Sequence, residues 1–134
     1  MLTTHALLIF AAVYAAAVAT PGPGIVALVA RALGGAVILK GHRSEIADAG
    51  GAAYTNGSGN SGMACAGMGD VLSGVCGTLL AQDLSPFDAG RLGAHWHGLA
   101  GDLAAEAIGA LGFTPSEVAS RLPSAREVLL AGRG

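Results

Sequence analysis

Charge is scarce in this chain: 7 Lys and Arg stand against 9 Asp and Glu in 134 residues, a net charge of −2 with 12% charged side chains. Soluble domains ordinarily carry about 25%. The few cations are scattered singly from Arg31 to Arg133, so there is no basic stripe of the kind that holds a polyanion, which argues against nucleic acid as a partner. Aromatics are rare too, at 4%. Alanine and glycine fill more than a third of the chain, so backbones can approach closely while each residue buries little apolar area. At about 25 cal/mol per Å² such a core has a thin margin over chain entropy, which points to support from a partner, a membrane or further chain. Only two cysteines occur, Cys65 and Cys76, and they form no C-x-x-C pair. That spacing argues against a zinc or redox site and reads as two reduced, small hydrophobes in a reducing compartment, with one disulfide as the alternative.

Long hydrophobic runs are also missing. The longest, residues 6–19, has 14 residues, short of the roughly 18 to 20 that cross a bilayer, although starting at Leu2 brings it close. Thr20-Pro21-Gly22-Pro23-Gly24 then breaks the run and Ile25-Val26-Ala27-Leu28-Val29-Ala30 resumes it. Three readings stand: a spanning or interfacial helix touching a membrane through residues 2–33, a buried Ala-rich helix, and a signal peptide with Ala17-Val18-Ala19 as its cleavage site. No Lys or Arg precedes the apolar core, which counts against the last.

From Ala36 the pattern is that of an α/β unit. Residues 36–39 form a short apolar strand, and 45–48 with 52–55 form a hairpin about Ala49-Gly50-Gly51. A Gly/Ser/Asn-rich loop follows over 56–69. Val71, Leu72, Val75, Leu79 and Leu80 recur near helical period over 70–81. Ser85-Pro86-Phe87-Asp88 starts a long helix running to about residue 111. Thr114-Pro115-Ser116-Glu117 and Ser124-Ala125-Arg126-Glu127 both fit the capping box, which predicts two further helix starts.

The chemistry concentrates in Asn60-Ser61-Gly62-Met63-Ala64-Cys65-Ala66-Gly67-Met68-Gly69-Asp70, which empties into a helix. A glycine-rich turn there leaves backbone amides unpaired at the positive end of the helix dipole, which makes an anion site. Asp70 stands at the mouth, where a carboxylate serves as general base or simply caps its helix. Gly57-Ser58-Gly59-Asn60-Ser61-Gly62 satisfies G-x-G-x-x-G, but no helix opens after it, so a dinucleotide fingerprint is not supported. His95-Trp96-His97 places two imidazoles two residues apart on a helix, where they point in different directions, so packing explains them better than metal. No metal ligands are assigned.

Five ordered motifs carry a family resemblance: Val37-Ile38-Leu39-Lys40-Gly41-His42-Arg43-Ser44; Gly59-Asn60-Ser61-Gly62-Met63-Ala64; Ala66-Gly67-Met68-Gly69-Asp70-Val71-Leu72-Ser73-Gly74; Leu80-Ala81-Gln82; and His97-Gly98-Leu99-Ala100-Gly101-Asp102. Together, over about residues 36–130, they resemble the C-terminal part of the ADP/ATP-dependent NAD(P)H-hydrate dehydratase domain, the YjeF C-terminal type of the ribokinase-like superfamily. Residues 1–35 resemble the first transmembrane segment of LysE/RhtB-type amino-acid exporters. The fold expected is therefore a partial ribokinase-like α/β domain over 36–134, a few strands with C-terminal helices, behind an apolar helix with a Pro-Gly break over 1–35.

The resemblance implies repair of nicotinamide cofactors: dehydration of the S-epimer of NAD(P)H hydrate at the expense of ADP or ATP, accompanied by Mg²⁺. It implies Asp70 as the base that activates the substrate hydroxyl, with Asn60 beside it at the substrate, and Ala66, Gly67, Met68 and Gly69 as the amides that stabilise the transferred phosphoryl. Lys40, Gly41, His42, Arg43 and Ser44 match the segment that holds the nucleotide, with Gly69 adjoining. Ser61 stands where the family has proline, and Cys65 where it often has threonine. The partners implied are NAD(P)H hydrate and an adenine nucleotide, in a cytoplasmic homo-oligomer, with membrane association through residues 2–33 as the open alternative.

Overall fold

A computed structural model of the chain describes residues 3–19 and 23–132. The elements run α1 (Thr4–Ala19), α2 (Pro23–Leu33), β1 (Ala36–Leu39), β2 (Glu45–Asp48), β3 (Ala53–Thr55), a 3-10 turn at Ser61–Met63, α3 (Met68–Ala81), α4 (Pro86–Ile108) and α5 (Pro115–Ala131). The three strands make one antiparallel sheet in the order β1-β2-β3, with Val37 opposite Ala47 and Ile38 opposite Ile46. Strand alternation then sorts the side chains. Ala47, with Val37 and Leu39 beside it, packs on Val26 and Ala30 of α2. Ile46, with Ile38 and Tyr54, packs on Leu72 of α3 and Ala94 of α4. The sheet is thus covered on both faces, which is why β1 is apolar throughout.

This packing runs across the division expected at residues 35/36. Gly34, at φ 67°, is the left-handed residue closing α2, and the Gly35 amide donates back to the Ala30 carbonyl at 3.2 Å. That is a helix C-cap leading into a strand, and α2 belongs to the α/β unit. The Thr20-Pro21-Gly22 part of the break lies outside the described residues. No helix among the described residues is long and apolar enough to cross a membrane. On α1, Leu7, Leu8, Ile9 and Phe10 are exposed.

The helix starts follow local chemistry. Ser85 Oγ accepts from the Asp88 amide at 3.1 Å, with Pro86 in the first helical position. The Thr114–Glu117 capping box forms fully: Thr114 Oγ1 accepts from the Glu117 amide, and Glu117 Oε2 accepts from the Thr114 amide at 2.6 Å. The second box does not open a helix. Ser124 lies inside α5, a single helix that continues through Pro123. Proline there removes the bond to the Ala119 carbonyl, but tertiary contacts hold both halves. Trp96 Nε1 donates to the Leu122 carbonyl at 2.8 Å, and Val118 and Ala125 are both buried against α4, beside Ala100 and Ala104. Helix α3 begins at Met68, two residues earlier than expected, and α4 ends at Ile108, where Gly109 adopts φ 128°.

Candidate active site

The mouth of α3 is built by two glycines with different duties. Gly67 is the N-cap residue at φ 89°, and a Cβ on it would lie 3.1 Å from Pro115 Cγ, so conformation and space both demand glycine. Gly69 lies under Lys40: a Cβ there would stand 2.6 Å from Lys40 Nζ. The Met68 amide donates to the Cys65 carbonyl at 3.4 Å and the Asp70 amide to the Gly67 carbonyl at 3.1 Å. Of the four amides expected to face an anion, Met68's is therefore engaged. Those of Ala66, Gly67 and Gly69 make no hydrogen bond among the described residues. Lys40 has no ion pair or hydrogen bond there either. Lys40 Nζ thus stands over Gly69 at the positive end of α3, where the amides of Ala66, Gly67 and Gly69 are free among the described residues and Asp70 is the one carboxylate of the first turn.

Beside this mouth lies a cleft of about 610 Å³, within the range that takes a small ligand. Met63, Met68, Leu72 and Ala94 form its apolar wall and residues 40–44 its polar rim. That rim is a tight turn. Ser44 Oγ bonds back to Gly41, the Ser44 carbonyl accepts from the Asn56 amide at 2.8 Å, and Arg43 is held at φ 61°. Such strain in a non-glycine residue collects at binding sites. Lys40, Gly41, His42, Arg43, Ser44, Asn60, Ala66 and Met68 all line the cleft. Gly67, Gly69 and Asp70 do not: Asp70 is exposed in the first turn of α3, with its carboxylate unpaired among the described residues.

The far wall is the loop over residues 56–62, pinned to α4 by side chains that sequence reasoning assigned no role. Buried Asn56 donates to the Ala94 carbonyl at 3.2 Å, and Ser58 Oγ to the His95 carbonyl at 2.8 Å. Asp102 accepts from the Gly59 amide and from Asn60 Nδ2. Asn60 Oδ1 in turn accepts from the Gly62 amide at 3.0 Å, capping the 3-10 turn. Asn60 therefore clamps the loop, and one Nδ2–H and one Oδ1 lone pair remain for a substrate. Gly98 allows the close approach: a Cβ there would fall 2.7 Å from the Ser58 carbonyl carbon. Glycines at 98 and 101 in mid-helix were the available sequence signal for this crossing.

His97 is buried in the same wall. Burial first, then the charge of Lys40, pushes its imidazole down to about 4, against a backbone hydrogen bond with Met68 that raises it. It is neutral at ordinary pH. Cys65 and Cys76 are both free, and burial pushes the Cys76 thiol up. Among the described residues no three His, Cys, Asp or Glu gather as a metal site.

A family model described as NAD(P)H-hydrate dehydratase matches residues 14–124. The chain belongs to that family. The NAD(P)H-hydrate dehydratase match begins inside α1, and the exporter resemblance of residues 1–35 finds no support in these comparisons. The ADP-dependent (S)-NAD(P)H-hydrate dehydratase of Neisseria meningitidis serogroup B is 46% identical over 94 residues, covering 69% of this chain and 31% of that protein. The bifunctional NAD(P)H-hydrate repair enzyme Nnr of Escherichia coli K12 is 44% identical over 89 residues, covering 66% of this chain and 17% of that protein. The ADP/ATP-dependent NAD(P)H-hydrate dehydratase of Bacillus subtilis, crystallised with ATP and Mg²⁺, matches in fold with a TM-score of 0.75 at 25% identity. That match covers 79% of this chain and 39% of the other. The fold is thus a partial ribokinase-like α/β domain, and the chain spans a third or less of these two curated relatives.

Proposed function

We propose that the chain carries the nucleotide-holding and phosphoryl-transfer portion of an ADP-dependent (S)-NAD(P)H-hydrate dehydratase. The observation behind this is the approach of Lys40 Nζ to Gly69 at the mouth of α3, where the amides of Ala66, Gly67 and Gly69 are free and the Asp70 carboxylate is unpaired among the described residues. Lys40 and the turn over residues 41–44 hold the nucleotide phosphates. Asp70 takes the proton of the hydrate's hydroxyl as its oxygen attacks the terminal phosphorus of ADP, and AMP leaves. The amides stabilise the charge that gathers on the transferred phosphoryl. Loss of phosphate from the ring, with a proton from the neighbouring carbon, restores the double bond of NAD(P)H. ATP serves in the same geometry.

A Mg²⁺ ion accompanying the nucleotide would supply neutralisation of charge on its phosphates. The first turn of α3 offers it one carboxylate, Asp70, and no ready-made cage exists among the described residues, which fits an ion held chiefly by phosphates and water. The unit carrying this chemistry begins at α2, since Val26 and Ala30 form a core with the sheet, and α1 is an apolar extension of it.

The test is ADP-dependent recovery of NADH from its hydrate by the purified chain, alone or as a homo-oligomer, with Asp70→Asn beside it. Recovery by the native chain is expected, with loss in the variant while ADP still binds. Folded native protein that binds ADP and gives no recovery would overturn the reading.

A further inference from the structure

Neither step above uses His97, yet its placement is unusual. The residue is 6% exposed, and its Nε2 is covered and has no hydrogen-bond partner among the described residues. A buried polar atom left unpaired costs stability unless something engages it. The ring reaches three pieces of the site at once. It projects from α4, its other nitrogen is the one left for the Met68 backbone at the start of α3, and it shares the cleft wall with Lys40. The Met68 carbonyl can only accept, so the nitrogen facing it carries the proton. In a neutral imidazole the other, Nε2, is then a bare lone pair. The cation whose charge acts on this ring is Lys40, and Lys40 has three N–H donors and no partner among the described residues.

We propose that His97 is a positioning residue of the anion site, its Nε2 serving as the acceptor that takes one N–H of the Lys40 ammonium when a phosphate occupies the mouth of α3. The inference rests on the functional reading for the identity of the anion. The two unmatched groups complete each other: Lys40 divides its donors between the phosphate and the imidazole, and Nζ is held over the Gly69 amide instead of swinging through solvent. A neutral ring suits this role, since a protonated one would offer Lys40 a second cation. Because His97 also faces the Met68 backbone, the same side chain adjoins the first turn of α3.

The test separates the two nitrogens. His97→Asn keeps a polar group near the Met68 side of the ring and loses the Nε2 position, whereas His97→Gln restores an acceptor near Nε2. Calorimetric titration with ADP is expected to show affinity about tenfold or more lower in His97→Asn, the worth of one hydrogen bond to a charged group, and within about threefold of native in His97→Gln. A purely structural histidine predicts the reverse order or equal losses, and either result overturns the inference. The native protein supplies a readout that needs no stable variant. The ¹⁵N resonance of His97 Nε2 is expected to move from a bare to a hydrogen-bonded position on addition of ADP or inorganic phosphate, and to stay still in Lys40→Met. A resonance that neither anion moves overturns the inference. Movement without hydrate recovery leaves it standing and removes only the dehydratase reading.

Discussion

Asp102 holds Asn60 from across the cleft wall: its Oδ1 accepts from Asn60 Nδ2 at 2.8 Å while its Oδ2 accepts from the Gly59 amide at 2.9 Å. Both partners are donors, so only a carboxylate satisfies both. Asp102→Asn turns one of these bonds into a donor facing a donor, and a loss of about 1–3 kcal/mol in unfolding free energy follows. Urea denaturation reads the loss. ADP affinity should fall as well, because the loop so held forms one wall of the cleft. An unchanged midpoint would show that the loop keeps its place without the clamp.

What the sequence disclosed and what it hid divide by distance along the chain. The starts of α4 and α5 were legible because Ser85, Pro86, Thr114 and Glu117 satisfy amides within one turn. The glycine-framed mouth of α3 was legible for the same reason. The false start at Ser124 obeyed the same local rule and lost to the bond from the Trp96 indole to the Leu122 carbonyl, 26 residues apart. The roles of Asp102 and His97 were hidden because their partners lie in other elements. The apolar opening misled differently. Its composition suits a membrane helix, but α2 spends Val26 and Ala30 on the underside of the sheet.

Two glycine-to-alanine changes in neighbouring helices should move stability in opposite directions. Gly98→Ala drives a methyl into the Ser58 backbone, at 2.7 Å from its carbonyl carbon. Backbone cannot give as a flexible side chain does, and a loss of about 1–3 kcal/mol or more is expected. Gly74→Ala in α3 meets nothing within 4 Å and should gain up to about 1 kcal/mol from helix propensity alone. Thermal melts of the pair decide it. Equal shifts would mean that α4 and the loop are not in close contact.

Gly67→Ala tests the mouth itself. A side chain at φ 89° is strained by about 1–2 kcal/mol, and its methyl also approaches Pro115. The chain relieves both by rotating the turn, which turns away the free amides at 66, 67 and 69. The expected signature is a modest fall in melting temperature with a disproportionate loss of ADP binding by calorimetry. A variant that melts lower yet binds ADP as the native chain does would take these amides out of the anion site.

His97 should govern the mildly acidic limb of the stability profile. Its folded imidazole is held down at about 4 by burial and then by Lys40, against 6.5 in the unfolded chain. Between those values the unfolded chain binds the extra proton, so stability rises with pH there by at most about 1.4 kcal/mol per unit and is flat above 6.5. Glu117, held low chiefly by the Thr114 amide, and Asp88, held low chiefly by its bond to Arg91, work at lower pH. Their contribution is complete above the ordinary carboxylate range and fades only as pH falls through their depressed values. Urea midpoints from pH 8 down to pH 4 should therefore be level at first and then decline below about 6.5, and His97→Gln should abolish that decline without touching the acid limb set by the carboxylates. A decline that persists in His97→Gln would take the slope away from His97.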